Sequence, residues 1–333
     1  MSSNKISEFL AQRELIVLDG ALATELEARG LNLNDPSWSA KALLGDTSSL
    51  IRDVHLDYFR AGADVAITAS YQASTRGLHE HLGLGHDQSI ELITKSVRLA
   101  QEARDIYLSA EEDANRPTSP QRCNNPQSSN QRPLLIAGST GPYGAYLANG
   151  SEYTGTYSLS RADFHAFHRP RIQALLDAGV DLLALETQPS FPEILALVDL
   201  LAEFPDAGAW VSMTLRDAER LSDGTSIGTV LERLNESSQV LAVGVNCVPE
   251  EMVTAALRRL RGLTNKPLMC YPNSGEVYDA VSKTWGGTRA EGERLAERVR
   301  EWRKAGAVVI GGCCRTGPKD IRTIVEACRE ALP

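Results

Sequence analysis

Cys313 and Cys314 are neighbours in Gly311-Gly312-Cys313-Cys314-Arg315-Thr316, directly after the apolar run Ala307-Val308-Val309-Ile310, and Cys247 closes Val243-Gly244-Val245-Asn246 in the same manner. Three thiols at the ends of apolar runs suggest one metal site. Successive side chains on a strand point to opposite faces, so the pair must leave its strand to converge, and Gly-Gly permits the sharp turn. Zinc favours soft sulfur ligands at about 2.3 Å, and three protein ligands with an open fourth position mark a catalytic rather than a structural centre. Two rival readings bear on the same residues. Free cysteine is among the most buried residue types and often only fills core space. The six cysteines, at 123, 247, 270, 313, 314 and 328, lack a Cys-x-x-Cys redox spacing, and a disulfide between chain neighbours is strained. A doublet matched by a second strand-end cysteine favours the metal.

Such residues need a scaffold that gathers distant strand ends. Short apolar or β-branched runs recur at 15–19, 64–68, 134–138, 181–186, 210–214, 241–246, 268–271 and 307–310. Between them lie amphipathic segments such as 89–108, 164–177, 192–204, 250–261 and 289–304. Alternating β and α units predict a parallel sheet, and eight of them predict an α/β protein of the (β/α)8 TIM-barrel class, one domain over residues 1–333. Ala61-Gly62-Ala63-Asp64, Ala178-Gly179-Val180-Asp181 and Ala305-Gly306-Ala307 each announce a strand, with a glycine suited to the preceding helix's C-terminal cap.

In such barrels the active site lies at the C-terminal rim of the strands. The polar residues closing each run should therefore face one mouth: Asp19, Thr68 with Tyr71, Ser139 with Thr140, Glu186, Thr214, Asn246 with Cys247, Tyr271 with Asn273, and Cys313 with Cys314. One stretch breaks the pattern. Residues 111–132 are polar and rich in turn formers, which predicts a flexible inserted loop on the face opposite the metal, with Cys123 an incidental thiol inside it.

Composition narrows the function. A formal net charge of -9 offers no basic footprint, so nucleic acid and anionic membrane surfaces are excluded as expected partners, and a small-molecule enzyme is favoured. Residues 1–8 lack the apolar core of a signal peptide, and no run reaches the roughly 18 apolar residues of a membrane helix. A reducing, cytoplasmic location is expected, where thiols stay free for metal. Oligomeric state is not legible here.

At these residues the sequence resembles the homocysteine S-methyltransferase family, in its short, S-methylmethionine-dependent type. The resemblance runs along nearly the whole chain. Besides the two cysteine motifs it includes Asp19-Gly20-Ala21-Leu22-Ala23-Thr24-Glu25-Leu26, Trp38-Ser39-Ala40-Lys41, Ala66-Ile67-Thr68-Ala69-Ser70-Tyr71-Gln72-Ala73-Ser74, Gly141-Pro142-Tyr143-Gly144-Ala145-Tyr146, Leu185-Glu186-Thr187 and Tyr271-Pro272-Asn273-Ser274-Gly275-Glu276. It implies a zinc-bearing barrel whose ligands fall on Cys247, Cys313 and Cys314. The 111–132 insertion and Arg315, where much of the wider family has glycine, are departures that touch no ligand. A cation at 315 is expected to offset part of the site's negative charge.

The implied reaction moves a methyl group from S-methylmethionine, or less readily from S-adenosylmethionine, to the zinc-bound thiolate of homocysteine, giving methionine. Aromatic faces attract a sulfonium cation without pairing tightly, which makes Trp38 and Tyr71 donor-site candidates, followed by Tyr143 and Tyr146. Glu186 and Asp19 suit the ammonium of homocysteine, and amides of the 20–24 and 139–142 loops, beside Thr140, suit its carboxylate. Asn246 completes the candidate substrate contacts. Two alternatives stay open: betaine as donor, and a non-catalytic, thiol-sensing zinc barrel. His165 and His168, three apart on a helix, are read as exposed or capping residues rather than a metal pair. Cys270 and Cys328 are read as packing residues, and 217–224 as a solvated turn that could close over the site.

Overall fold

The computed structural model describes residues 5–33, 38–45, 47–114, 133–279 and 284–330. Its central sheet has eight strands: β1 (Ile16–Val17), β2 (Val65–Ile67), β3 (Leu135–Thr140), β4 (Leu182–Gln188), β5 (Ala209–Met213), β6 (Val240–Asn246), β7 (Leu268–Tyr271) and β8 (Ala307–Ile310). They are all parallel and ordered β1-β8-β7-β6-β5-β4-β3-β2. A parallel bridge from Leu18 to Val65 joins the two ends of that order. The chain is a single-domain (β/α)8 barrel, and each strand overlaps one of the apolar runs.

The period-2 alternation of each strand divides its side chains between two cores. Ile16, Leu18, Ala137, Ala184, Trp210 and Met269 fill the barrel interior. Ile6 and Phe9 of the opening helix Lys5–Leu10 join them. Val17, Ile136, Leu183, Val211, Val243 and Ile310 face outward into the helical layer. Small residues on the inner face leave room for Trp210, which is 1% exposed. Gly62 and Gly306 cap helices Ser48–Ala61 and Gly292–Ala305 at φ 108° and 110°, a left-handed conformation that costs other residues strain. Cys270 and Cys328 both pack in the outer core.

Two segments differ from the sequence reading. Helix His86–Ala114 runs past 108, so the first residues of the 111–132 segment continue a helix instead of starting a loop. Residues 115–132, Cys123 included, lie outside the described part. After β5, Leu215–Asp217 and Arg220–Leu221 pair as a short antiparallel hairpin rather than an open turn. Among the described residues no helix is long and apolar enough to cross a membrane.

Candidate active site

Backbone strain and close packing bring the three thiols together. Cys247 follows β6 in the left-handed region at φ 50°, and Arg315 closes the doublet at φ 68°, both unusual for residues with a Cβ. A Cβ on Gly311 would lie 2.5 Å from that of Leu18, and one on Gly312 2.1 Å from Thr316 Oγ1, so only glycine fits either place. Cys247 Sγ lies 2.6 Å from Cys313 Sγ and 3.9 Å from Cys314 Sγ, and all three sulfurs fall within 4.8 Å of one another. The thiols are free and half-buried.

This donor set fits a soft tetrahedral cation. Zinc–sulfur bonds of about 2.3 Å put sulfurs about 3.8 Å apart, so the Cys247–Cys314 spacing already matches and the Cys247–Cys313 pair needs to open by about 1 Å. The three thiols cannot all ionise unaided. Hydrogen bonding within the trio, with burial added, holds Cys247 well above the usual thiol range, while the same contacts pull Cys314 well below it. A cation removes that conflict. Among the described residues no fourth His, Cys, Asp or Glu joins the group.

Glu186 projects from the inner face of β4. Ser139 donates a short hydrogen bond to its Oε1, and the Tyr271 hydroxyl donates to its Oε2 at 3.2 Å. Burial pushes its pKa up to about 7; these hydrogen bonds and Arg171 pull it down, and the nearby Cys314 adds to the rise. Asp19, after β1, accepts from the Ile67 amide at 2.8 Å, and its own carbonyl accepts from Gly312. Burial raises Asp19 well above the carboxylate range, and the amide hydrogen bond only partly opposes this. His55 Nδ1 is 3.9 Å from Asp19, and burial lowers that imidazole to about 4. The imidazole is therefore neutral near pH 7.

Tyr71 lies against Gly141, where a Cβ would come 2.6 Å from the ring. Burial raises its hydroxyl pKa, and the charges of Glu152 and Cys247 add to this. Asn246 Oδ1 accepts from the Thr187 amide and its Nδ2 donates to Thr187 Oγ1, both at 2.8 Å. Its side chain thus holds Thr187 at φ 59°. Thr140 shares the strand parity of the outward-facing Ile136, and its buried hydroxyl has no hydrogen-bond partner. Trp38 opens helix Trp38–Lys41, but its side chain lies outside the described part.

Tyr143 and Tyr146 belong to an aromatic cluster with Phe167, at centroid distances of 5.0 and 5.6 Å. The Arg315 guanidinium is engaged by Glu276, with Nε 3.2 Å and Nη2 3.4 Å from its carboxylate, instead of being left free to neutralise the thiolates. His168 departs from the exposed setting expected of it. It is fully buried, with Nε2 2.7 Å from Glu193 Oε1.

Two mouth residues escaped the sequence reading. Glu152 and Tyr153 sit on the short turn Ser151–Tyr153, after β3. Glu152 Oε2 is buried without a hydrogen-bond partner, and burial raises its carboxyl, with Cys314 adding to the effect. Tyr153 leaves 43% of its surface exposed; partial burial raises its hydroxyl pKa, and the charges of Cys247 and Cys314 add to the rise. The available signal was position alone: an acid between glycines and tyrosines in a loop at the C-terminal rim.

Comparison with known proteins gives a consistent result. The family described as Homocysteine S-methyltransferase matches residues 16–328. The homocysteine S-methyltransferase of Escherichia coli K12 is 53% identical over 97% of this chain and 98% of its own. The homocysteine S-methyltransferase YbgG of Bacillus subtilis is 46% identical over 98% of each chain. The crystal structure of the metallated form of homocysteine methyltransferase MmuM from Escherichia coli superposes with a TM-score of 0.82 at 51% identity, covering 96% of this chain and 98% of that one.

Proposed function

The chain belongs to the homocysteine S-methyltransferase family, and from that premise we propose that it makes methionine by methylating homocysteine with S-methylmethionine, S-adenosylmethionine being the poorer donor. Cys247, Cys313 and Cys314 are the proposed zinc ligands. Residues 1–333 then act as one homocysteine-binding domain, with small molecules as partners, in a reducing cytoplasmic setting that keeps the thiols free. The observation that carries this reading is the convergence of three sulfurs at the strand ends with no fourth acidic, histidine or cysteine ligand among the described residues.

Bound there, zinc would hold the acceptor sulfur as a thiolate at neutral pH. The chain's own residues supply the rest. As the thiolate sulfur bonds to the methyl carbon, the methyl–sulfonium bond breaks and its electron pair stays on the donor sulfur. Opposite charges merge, so excluding water from the mouth beside Tyr71 and Tyr153 would favour the transition state. Those rings attract the sulfonium without the tight pairing a carboxylate would impose; Trp38 remains a candidate for the same role. Glu152, whose carboxylate has a free buried oxygen, is suited to a substrate ammonium. Glu186 and Asp19 complete the acidic side of the mouth, and Asn246 supports it through Thr187.

Methyl transfer to homocysteine from S-methylmethionine, S-adenosylmethionine and betaine at equal concentrations tests the reading. S-methylmethionine should be fastest and a chelator should abolish turnover. Preference for betaine would replace the donor, and activity in metal-free protein would remove zinc.

A further inference from the structure

Arg171 is fully buried on helix Arg161–Asp177, in the outer layer, and the reaction just described makes no use of it. Its Nη1 donates to the Tyr71 carbonyl at 2.7 Å, and its Nη2 donates to the Gly141 carbonyl at 2.6 Å. These carbonyls belong to two different loops, one after β2 and one after β3. His168 Nδ1 lies 3.1 Å from the same Nη2, and His168 Nε2 reaches Glu193 Oε1 at 2.7 Å. Glu193 also accepts from the Tyr143 amide at 2.6 Å and from the Tyr157 hydroxyl. Gly144 then packs so closely that a Cβ would come 2.6 Å from the Glu152 amide and 2.7 Å from the Tyr157 ring. The contacts run without a gap from a helix-layer cation to the turn that carries Glu152 and Tyr153.

We propose that Arg171 is a positioning residue, clamping the loops after β2 and β3 into a single donor-side wall. Stability alone does not call for it, because buried charges rarely outperform apolar residues of similar volume even when hydrogen-bonded. What an apolar pair cannot do is hold two carbonyls at a fixed separation. A planar guanidinium fork does this, and a lysine ammonium, a point donor, does not. The assignment of the wall to the donor rests on the proposed methyl transfer. Homocysteine is placed by the thiols after β6 and β8, across the mouth, so the clamp should govern one substrate and not the other.

Steady-state kinetics and hydrogen exchange on the metal-loaded full chain test this. Arg171→Lys should raise the KM for S-methylmethionine about tenfold, leave the KM for homocysteine within about twofold, and keep the metal content of the wild type. Amides of residues 71–74 and 141–147 should exchange faster. Should the lysine variant fail to fold, Arg171→Met with Glu193→Gln removes both buried charges; wild-type melting with a raised donor KM would support the clamp. A lower melting temperature with both KM values and loop exchange unchanged would make the network merely structural and overturn it. If the wild type methylates nothing, the proposed reaction fails, and loop exchange still decides: faster supports the clamp, unchanged overturns it.

Discussion

The mouth of the barrel has two walls built on opposite principles. On the thiol side, local backbone does the work: two left-handed residues, Cys247 and Arg315, and two glycines with no room for a Cβ fix three sulfurs within a few residues of their strands. On the other side, Tyr71, Gly141 and the Glu152 turn are held by Arg171 and Glu193, which come from the helices after β3 and β4. One wall is rigid through its own covalent geometry, and the other through a buried polar network at a distance. The first should therefore fail all at once when cut, and the second by degrees.

The sharpest cut is Cys313→Ala. Losing one of three ligands should empty the metal site and lower methyl transfer to about a thousandth or less. Metal analysis alongside the assay checks this, and a variant keeping both metal and activity would dismantle the thiol wall as described. Glu152→Gln acts on the other wall. It removes a charge but keeps the shape, so the KM of one amino-acid substrate should rise about thirtyfold with metal content unchanged. A loss of metal instead would show that the walls are not separable.

The same contrast explains what the sequence disclosed. The strands were legible because each is a short apolar run, and the thiols because doublet, glycines and strand end are contiguous in Ile310-Gly311-Gly312-Cys313-Cys314. Glu152 carried no periodic signal. His168 read as exposed or capping because a sequence does not show that its helix turns it to Glu193, and Arg171 carried no signal of its contact with two loop carbonyls. Asn246 was visible at a strand end, but its engagement with Thr187 depends on a left-handed turn 59 residues away.

Glu186 lies between the walls and gives a smaller, pH-dependent effect. Its folded pKa of about 7 exceeds the unfolded value of about 4.3. The folded state therefore holds the proton more tightly, and this stabilisation is complete below pH 4.3 and lost as pH rises through 7. Metal-free protein should lose up to about 3 kcal/mol across that window from this group. Denaturant unfolding at several pH values should show a flatter profile for Glu186→Gln. An equally steep profile would assign the titration elsewhere.

The mildest test is Arg315→Gly, at the edge of the thiol wall. Two contributions oppose each other. The Arg315–Glu276 pair is partly exposed, with side chains 34% and 14% accessible, and such pairs contribute roughly 0 to 1 kcal/mol. Against this, φ 68° costs a residue with a Cβ on the order of 1 kcal/mol, which glycine relieves. Stability should thus change by less than about 1 kcal/mol, and because the guanidinium is turned to Glu276, turnover should stay within about twofold. A tenfold loss of activity at unchanged metal content would mean that this cation acts on the reacting sulfurs after all, and that the thiol wall depends on a side chain as well as on its backbone.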